Sequence, residues 1–383
     1  MKRFFAALLL LLLTSLGLHA TSTLDVYVLD VGQGDAILLD YGTYELLIDG
    51  GADGSCVPVI EMYVDGYLEI VIATHPHSDH IGGLDEVIRA FDVLQVISNG
   101  TSADTNSYRR FLAAVDAEGC PHRVVRRNEA IQWADLELRV LHPYEISGDA
   151  NEDSLVLQLA HGDVDFLFTG DIGETAEREL LEMGCLSDVD VLKVAHHGSR
   201  YASTDRFLDA VQPELAVYSA GVGNRYGHPH HEALGRLSVS GAWILGTDHV
   251  GTIWVASDGA TWTARDLAGN SLLPGTECGQ GAERLFLAVE PISGVGQGHH
   301  ATVNAQTLPG AECSIVVYYG DSASAAQGLT AQTADDAGCV RWTWRIGTRT
   351  KPGNHRVVIT ATSGDEQVTQ TIWFEVLDTG SPG

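Results

Sequence analysis

Short apolar runs alternate with turn residues along the first two thirds of the chain. Residues 26–31, 36–40 and 44–48 are β-rich runs separated by Gly and Asp, which predicts a meander of three strands. From residue 69 the order becomes strand, polar loop, helix and strand, and a second set of this kind begins at residue 136. Two α/β halves are therefore predicted, each with its sheet inside and its helices outside. Helices are predicted at residues 84–91, 175–183 and 204–210.

The last hundred residues follow a different pattern. Residues 268–282 are rich in Gly, Leu, Pro and Ser, which indicates a linker. Residues 283–378 contain strand-like runs at regular spacing, separated by Gly, Asp and Pro turns and without helical periodicity, which predicts a small all-β sandwich. The predicted order is a leader at 1–20, an α/β domain at 21–267, the linker, the β-sandwich, and a tail at 379–383.

The first twenty residues have the pattern of a secretory signal peptide. Lys2 and Arg3 precede an apolar run from Phe4 to Leu13, and a zone of small residues ends at Ala20. Cleavage is predicted after Ala20, and retention as an uncleaved anchor is the alternative. Because no later stretch approaches 18 uninterrupted apolar residues, no transmembrane domain is expected. The protein is predicted to be secreted, extracellular or associated with the cell envelope.

Composition and charge narrow the class of protein. Of 383 residues, 45% are hydrophobic and 19% are charged, which is typical of a folded protein. The 51 acidic and 22 basic side chains give a net charge of −29, and a field of this sign repels polyanions. A protein that coats nucleic acid generally is therefore excluded. Arg109, Arg110, Arg123, Arg126 and Arg127 form the basic clusters of the α/β domain, either as a DNA groove or as a solvated face.

Cysteine usage points to disulfides rather than to a structural zinc site. Export would place the six cysteines in a compartment where disulfides persist. Their spacing contains no CxxC motif, so a zinc knuckle is not indicated. We expect Cys313 and Cys339 to form a disulfide within the β-sandwich.

Residues 74–80, with the sequence THPHSDH, carry the most specific chemical signal of the chain. Three imidazoles and one carboxylate follow a buried strand directly, and such a set can hold two divalent cations a few ångströms apart. The alternative is a polar loop with chance histidines. Gly82 and Gly83 behind the loop would let the next helix begin close to the metals.

Two further points along the chain can complete this metal site, and Asp49 ends a neighbouring strand. Asp171 follows a strand and a tight Thr-Gly turn. His196 and His197 follow another strand, and the spacing does not decide which of them is a ligand. In contrast, Gly32-Gln33-Gly34 lacks the helix and the lysine of a phosphate-binding loop, so a plain hairpin turn is predicted there.

The order and spacing of these residues resemble the metallo-β-lactamase fold, an αββα sandwich with a dinuclear zinc site at its edge. More narrowly, the chain resembles the C-terminal domain of the ComEC family of DNA-uptake proteins over about residues 24–260, without the transmembrane channel region of that family. The motifs that carry this resemblance are LDVGQGDA (29–36), SLVL (154–157), FTGD (168–171), VAHHGS (194–199) and NRYGHP (224–229). The C-terminal segment around residues 307–313 has a weaker resemblance to immunoglobulin-like modules of exported bacterial proteins.

The resemblance assigns roles to the metal-binding residues. It implies that His75 and His77 bind the first Zn²⁺ and that Asp79 and His80 bind the second, with Mn²⁺ as a possible replacement. Asp171 would bridge the two ions, and Asp49 would steady the histidine loop. The last ligand is His197 or His196, and the His-Gly-Ser sequence favours His197. Asp79, His80 and Asp171 would be the catalytic residues.

One departure from the superfamily pattern concerns the first metal. Many members carry a third histidine just before the strand that precedes Asp171, where this chain has residues 151–154 (NEDS). The first metal would then be weakly held or bound by Asn151 or Asp153 as a poorer ligand. His161 is predicted to be an exposed turn residue rather than the replacement.

A dinuclear site of this kind supports hydrolysis by a hydroxide that bridges the metals. Resemblance to ComEC implies a phosphodiesterase or nuclease that acts on DNA or nucleotides. Loops predicted to edge the cleft carry the candidate substrate-binding residues Ser199, Asn224, Arg225 and His228, of which Arg225 or His228 would hold a phosphate, and the alternative role of these residues is turn architecture. Two other functions remain open: a carbonyl hydrolase for lactones, thioesters or β-lactams, and a non-catalytic surface-binding protein.

The β-sandwich shows no cluster of metal ligands. Trp342 and Trp344 lie on one face of a predicted strand, where core packing is favoured over a carbohydrate-binding platform. The module is expected to act in spacing or attachment, and its cell-surface or polymer partner is not identified by the sequence.

Overall fold

The computed structural model describes residues 22–377 except 65, 274–284, 286, 290, 291, 293, 321, 336, 337 and 365. The predicted leader, the tail and most of the predicted linker, including Cys278, lie outside the described residues. In the part of the chain that the structure describes, no helix combines the length and the apolar character needed to cross a membrane.

The α/β region consists of short strands and helices in the following chain order. Its first half contains β1 (Leu24–Val28), β2 (Ile37–Asp40), β3 (Glu45–Ile48), α1 (Val57–Ile60), β4 (Tyr67–Leu68), β5 (Ile70–Ala73), α2 (Ser78–Ile81), α3 (Leu84–Ala90), β6 (Asp92–Val93), β7 (Val96–Ser98), α4 (Asn106–Glu118) and β8 (His122–Val124). Its second half contains β9 (Ala130–Trp133), β10 (Leu136–His142), β11 (Val156–His161), β12 (Val164–Phe168), α5 (Glu174–Met183), β13 (Val191–Lys193), α6 (Asp205–Val211), β14 (Leu215–Tyr218), α7 (His231–Val239), β15 (Trp243–Gly246), α8 (Thr247–Val250), β16 (Ile253–Ser257) and β17 (Trp262–Arg265).

Most of these strands form two sheets that pack face to face. Among the described residues the first sheet has the order β17-β16-β1-β2-β3-β5-β7-β8, and the second has the order β15-β14-β13-β12-β11-β10-β9. Strands β3, β5, β7 and β8 run parallel, as do β12, β13, β14 and β15. Their carboxyl ends are therefore the places where loops from each sheet carry functional side chains.

Apolar side chains on both faces of the sheets explain the layers. Leu24, Val26 and Val28 of β1 belong to the core between the sheets, together with Phe166 and Phe168 of β12. The residues that alternate with them point outwards, where α1–α4 cover the first sheet and α5–α7 cover the second. The result is the αββα sandwich that the sequence predicts.

A buried carboxylate ties α5 to the loop in front of α6. Glu177 is fully buried and accepts hydrogen bonds from the backbone N–H groups of Ser203 and Thr204 and from the Thr204 hydroxyl at 2.6 Å. Burial raises the pKa of Glu177 to about 7, although these donors and Arg236 act in the opposite direction. The carboxyl group therefore binds a proton more tightly in the folded chain than in the unfolded chain.

This difference predicts how Glu177 contributes to stability at different pH. Its contribution is complete below the unfolded pKa of about 4.5 and is lost as pH rises through about 7, because between these two values only the folded state holds the proton, and above about 7 it releases it. The free energy of unfolding of the wild type, minus that of Glu177→Gln, should fall between pH 5 and pH 8 in urea titrations. Glu174→Gln, an exposed site on the same helix, should show no such trend. A difference that stays constant with pH for Glu177→Gln would contradict the prediction.

The C-terminal region contains only strands in the residues that the structure describes. They are β18 (Leu287–Val289), β19 (Val295–Gly296), β20 (His300–Thr307), β21 (Glu312–Tyr319), β22 (Ser322–Ala323), β23 (Gln332–Thr333), β24 (Cys339–Arg345), β25 (Gly353–Ser363) and β26 (Glu366–Leu377). One sheet has the order β18-β20-β24, and the other has the order β19-β26-β25-β21-β22. Trp342 and Trp344 are at most 1% exposed in the core between these sheets, which confirms their predicted role in packing.

Two expectations about individual residues are wrong. The predicted Cys313–Cys339 disulfide is absent, because Cys313 is a buried free thiol that faces the carbonyl of Ala311, whereas Cys339 is exposed on the opposite sheet. His161 is buried rather than exposed, because its ring lies 2.9 Å from the hydroxyl of Ser257 at the edge between the sheets.

The β region contacts the α/β region through α7. The Ser238 hydroxyl donates a hydrogen bond to the carbonyl of Trp373 and accepts one from its N–H at 3.2 Å. The Trp373 indole stacks on His231, with ring centroids 5.6 Å apart, and packs against Gly235, where an added Cβ would lie 3.3 Å from the indole. Strand β26 is therefore held against a helix whose first turn follows the loop at residues 224–230.

Candidate metal centre

The acidic residues and histidines of the predicted site meet at the carboxyl ends of parallel strands. Asp49 follows β3, and the histidine loop follows β5 in the first sheet. Asp171 follows β12, and the pair His196–His197 follows β13 in the second sheet. Because the two sheets face each other, these four segments converge at one edge of the sandwich.

The helix that carries Asp79 and His80 begins close to the strand ends because of two glycines. Helix α2 starts at Ser78, and Gly82 and Gly83 separate it from α3. A Cβ at Gly83 would lie 2.1 Å from the carbonyl oxygen of Asp53 and 2.3 Å from that of Gly50. Only glycine permits this approach, so the histidine loop is held tightly against the turn that follows β3.

Asp49 fixes the histidine loop through three contacts. Its carboxylate accepts hydrogen bonds from the N–H of Thr74 at 2.8 Å and from the Thr74 hydroxyl at 2.7 Å. The same carboxylate lies 2.7 Å from Nδ1 of His80. Nδ1 of His80 therefore faces a carboxylate, and Nε2 is directed to the interior of the site.

Four side chains bring their ligand atoms within 4.8 Å of one another: Asp79, His80, Asp171 and His197. Nε2 of His197 lies 3.4 Å from Asp79 and 3.5 Å from Asp171, and Nε2 of His80 lies 3.2 Å from Asp171. His75 is at the margin of this cluster, because its Nε2 lies 4.0 Å from Asp171. A set of imidazole and carboxylate donors at these separations suits a divalent cation such as Zn²⁺.

The same atoms are buried without hydrogen-bond partners. Among the described residues, Nε2 of His75, His80 and His197 and Oδ1 of Asp171 make no hydrogen bond, although each atom is inaccessible to solvent. Unpaired buried polar atoms are costly, and several of them aimed at one point indicate a bound ion. The residues present therefore fit a metal centre.

The pKa values in the cluster reflect its crowding. Burial alone would lower the pKa of His80 and of His197, but Asp171 together with Asp49 or Asp35 raises both pKa values well above the ordinary range. The pKa of Asp171 is lowered well below its ordinary value, because His197 and His80 outweigh burial. Two imidazoles thus offset carboxylate charge when no cation is bound.

The remaining predicted ligands occupy the outer side of the cluster. The ring of His77 is exposed, and its centroid lies 4.7 Å from that of His75. His196 is partly exposed, and its Nε2 lies 3.9 Å from Asp171. Asp153 is engaged elsewhere, since its carboxylate accepts backbone hydrogen bonds from Ser147 and Gly148.

Backbone conformation at the site is strained in three non-glycine residues. Asp49, His196 and His197 have φ values of 59°, 49° and 54°, in the left-handed region that L-residues rarely adopt. Each such residue costs roughly 1–3 kcal/mol and persists only where surrounding contacts hold it. At His197 those contacts include the carbonyl of Ser219, which lies 3.0 Å from Nδ1.

The predicted substrate residues divide into two groups. Ser199 is buried, and its hydroxyl accepts the N–H of Tyr201 at 3.4 Å. Asn224 uses its side chain within its own loop, since it donates to the carbonyls of Gly221 and His228 and accepts the N–H groups of residues 226 and 228. These two residues therefore build loops and do not present free polar groups.

His228 lies beside the histidines of the site, and Arg225 is exposed on the same loop. The guanidinium of Arg225 lies 4.8 Å from the ring centroid of Tyr226 and donates to its hydroxyl at 2.6 Å. The ring of His228 lies 5.4 Å from His196 and 6.0 Å from His197, and its Nδ1 has no hydrogen-bond partner among the described residues. Burial and these two histidines lower the pKa of His228 to about 4, so its ring is neutral at pH 7.

The residues that sequence reasoning missed are Asp35 and Lys193. Nζ of Lys193 lies 2.6 Å from Asp35, and the other oxygen of Asp35 lies 3.3 Å from Nδ1 of His197. Burial would raise the pKa of Asp35, but Lys193 and His197 lower it to about 2. Asp35 lies in the turn just before β2, and Asp49 lies directly after β3, so the position of an acidic residue beside a strand end was the available signal.

The comparisons with known proteins agree with this geometry. Residues 29–222 match the model of the Metallo-beta-lactamase superfamily, and they make up half of the chain and include the whole cluster. The chain therefore belongs to the metallo-β-lactamase superfamily, whose members are in general metal-dependent hydrolases.

Two curated proteins show which members of the superfamily this chain resembles. ComE operon protein 3 of Bacillus subtilis (strain 168) is 30% identical over 251 residues, which cover 60% of this chain and 32% of that protein. Competence protein ComA of Neisseria gonorrhoeae is 31% identical over 272 residues, which cover 65% of this chain and 37% of that protein. The resemblance to the ComEC family is thereby confirmed, and the chain spans about a third of the length of these relatives.

Among solved structures, the metallo-beta-lactamase fold protein YhfI from Bacillus subtilis has 14% sequence identity and a TM-score of 0.44. That match covers 62% of this chain and 100% of YhfI.

The contacts of Asp49 predict its effect on metal binding. Asp49→Asn keeps the shape of the side chain but presents an amide N–H to Nδ1 of His80, which moves the ring proton to the metal-facing nitrogen. Metal affinity should fall by at least about tenfold, measured by competition with a chelating indicator. Asp92→Asn, at an exposed site on β6, should leave the affinity unchanged. Equal affinity of Asp49→Asn and wild type would show that Asp49 does not orient His80.

Proposed function

We propose that this chain is an exported, metal-dependent phosphodiesterase that cleaves DNA or nucleotides at a dinuclear site. The observation that carries the proposal is the convergence of unpartnered donor atoms of His75, His80, Asp171 and His197 at one sheet edge. Two cations at such a site supply Lewis-acid activation of water and stabilise negative charge at the attacked centre. Export rests on the leader pattern of residues 1–20 alone.

The proposed assignment of ligands follows the family resemblance for the histidine loop and the distances for the last ligand. His75 and His77 would hold the first cation, Asp79 and His80 the second, and Asp171 would bridge them. His197 is favoured over His196 as the last ligand, because Nε2 of His197 is buried and lies near both Asp79 and Asp171. His196 would then face the substrate beside His228. Zn²⁺ suits this nitrogen-rich donor set, and Mn²⁺ is the alternative.

Phosphodiesters are favoured as substrates by the rim of the cleft. Arg225 is exposed on the loop that also carries His228, and we expect its guanidinium to be available to a phosphate bound at the metals. Tyr226 and His228 stack at 5.8 Å and offer ring surfaces beside that position. Similarity to a competence protein favours DNA as the phosphodiester.

The net charge of −29 restricts how DNA could bind. Three arginines of the basic clusters are already engaged: Arg110 pairs with Asp85, Arg123 pairs with Glu129, and Arg126 donates to a backbone carbonyl. Attraction of a phosphate would therefore come from the bound cations and Arg225 rather than from a broad basic surface. Short contacts with single-stranded DNA or small phosphodiesters fit this charge distribution better than long contacts with a duplex.

The first test combines metal content with hydrolysis. Residues 21–383, reconstituted with Zn²⁺ or Mn²⁺, should bind two metal ions per chain and hydrolyse single-stranded DNA and bis(p-nitrophenyl) phosphate. The double variant Asp79→Ala/His80→Ala should lose the second ion and the activity, and circular dichroism would report whether it folds. Two bound ions with inert phosphodiesters but cleaved lactones, thioesters or nitrocefin would move the function to carbonyl hydrolysis. No bound metal after reconstitution would contradict both enzymatic functions.

The rim residue Arg225 provides a separate test of substrate class. Arg225→Ala removes a phosphate-binding group outside the metal cluster, so KM for a phosphodiester should rise by about tenfold with two metals still bound. Arg109 on α4 forms an exposed ion pair with Asp104. Arg109→Ala removes the same charge as Arg225→Ala, and the KM of this control variant should equal that of the wild type. An unchanged KM for Arg225→Ala would remove this residue from the substrate site.

A further inference from the structure

A buried ion pair lies directly behind the proposed metal ligands. Nζ of Lys193 and a carboxylate oxygen of Asp35 are 2.6 Å apart, and each side chain is 2% exposed. Lys193 ends β13 in the second sheet, whereas Asp35 precedes β2 in the first sheet. Lys193 is also the only lysine between residues 21 and 279. The one lysine side chain of the α/β domain is therefore buried in an ion pair, where it cannot attract a polyanion.

The second oxygen of Asp35 faces a metal ligand. Oδ1 of Asp35 lies 3.3 Å from Nδ1 of His197, and the carbonyl of Ser219 lies 3.0 Å from the same nitrogen. The Ser219 carbonyl accepts the proton of Nδ1, and the negative charge of Asp35 Oδ1, which makes no hydrogen bond among the described residues, favours the same tautomer, so that Nε2 is left free. Nε2 is the atom that points to Asp79 and Asp171.

The turn at residues 32–35 also holds the backbone of the histidine loop. The N–H of Asp35 donates to the carbonyl of Asp79 at 3.1 Å, and the carbonyl of Asp35 accepts the N–H of Gly51 at 2.8 Å. At Gly34 an added Cβ would lie 2.2 Å from the carbonyl oxygen of Asp79, so only glycine fits. The Ser219 hydroxyl donates to the carbonyl of Gly34 at 2.8 Å. This turn therefore contacts the segments that carry Asp79 and His197 at once.

We propose that Asp35 is a positioning residue for His197 and that Lys193 sets the amount of negative charge that Asp35 presents to the second cation. The inference rests on the proposed metal site. Asp35 fixes the tautomer and the orientation of His197 and strengthens its donor nitrogen. Lys193 withdraws part of that charge, because it contacts the opposite oxygen of the same carboxylate. The three residues form a buried Lys193–Asp35–His197 series that tunes metal affinity.

The Lys193–Asp35 ion pair could either connect the two sheets or adjust metal affinity, and these two roles predict different effects of substitution. If the ion pair only connects the two sheets, removal of either partner loosens the site, and metal affinity falls in both cases. If Lys193 tunes Asp35, removal of the ammonium leaves a carboxylate with full charge near the cation, and affinity rises. The two single variants should therefore change metal affinity in opposite directions.

The experiment compares the affinity of the second metal in variants of the full chain. Asp35→Asn should weaken Zn²⁺ binding by about 10–100-fold, and Lys193→Met should tighten it by at least about threefold, as measured with a chelating indicator at pH 8. Lys193→Met should at the same time lower the thermal stability of the metal-free chain, because a buried carboxylate loses its partner. Arg89→Met removes one charge from the ion pair with Asp85 on α3 and should leave the affinity unchanged.

Each outcome decides between the alternatives. Weaker binding in both single variants, or no change in either, overturns the proposal. Should a single variant not fold, Asp35→Asn/Lys193→Met removes both charges and leaves no unpaired partner. Its affinity should stay below that of the wild type because His197 has lost its carboxylate, and wild-type affinity in this double variant also overturns the proposal. A wild type that binds no metal would refute the proposed function itself, which separates the two failures.

Discussion

Carboxylate charge at one edge of the sandwich is the constraint on which the rest of the structure depends. Asp35, Asp49, Asp79 and Asp171 lie together, and all but Asp79 are at most 2% exposed. Ionised carboxylates in a low-dielectric interior are tolerated only with nearby donors or cations. The surrounding chain supplies backbone N–H groups, two imidazoles of raised pKa and one ammonium group. The negative charge that these groups leave unbalanced suits divalent metal ions.

The sheet topology explains how these acids come together. Asp49 and Asp171 each follow a strand, and Asp35 precedes a strand antiparallel to β3, so all three reach the same edge. The residues that follow must turn sharply, and glycines or left-handed residues stand there. Strain at Asp49, His196 and His197 is thus the local cost of directing polar side chains inwards from strand ends.

Most of the fold was predictable because local patterns and tertiary structure agree. Strands β2 and β3 each begin one residue after the start of the predicted run, and β1 overlaps the predicted run at residues 26–28. The predicted helices at 84–91, 175–183 and 204–210 correspond to α3, α5 and α6. Helix α4 was missed although Thr105 caps its first turn and Phe111, Ala114 and Val115 form an apolar stripe. Its polar composition outweighed that stripe, because a surface helix needs only one narrow apolar face.

The site was predictable where ligands cluster in sequence and not where they meet only in space. The histidine loop is a local motif, so it is evident from seven residues. The pairing of Asp35 with Lys193 spans 158 residues and two sheets, and no local pattern can encode it. His161 was misjudged for the same reason, since its partner Ser257 lies 96 residues away.

The contact between α7 and β26 has a consequence for where the β region lies relative to the cleft. The stacking of Trp373 on His231 and the two hydrogen bonds to Ser238 restrict rotation of the β region about the linker. Helix α7 begins directly after His230, which adjoins His228 at the rim. The β region is therefore anchored beside the rim of the cleft through α7, because the same helix carries the contacts to β26 and begins next to the rim loop.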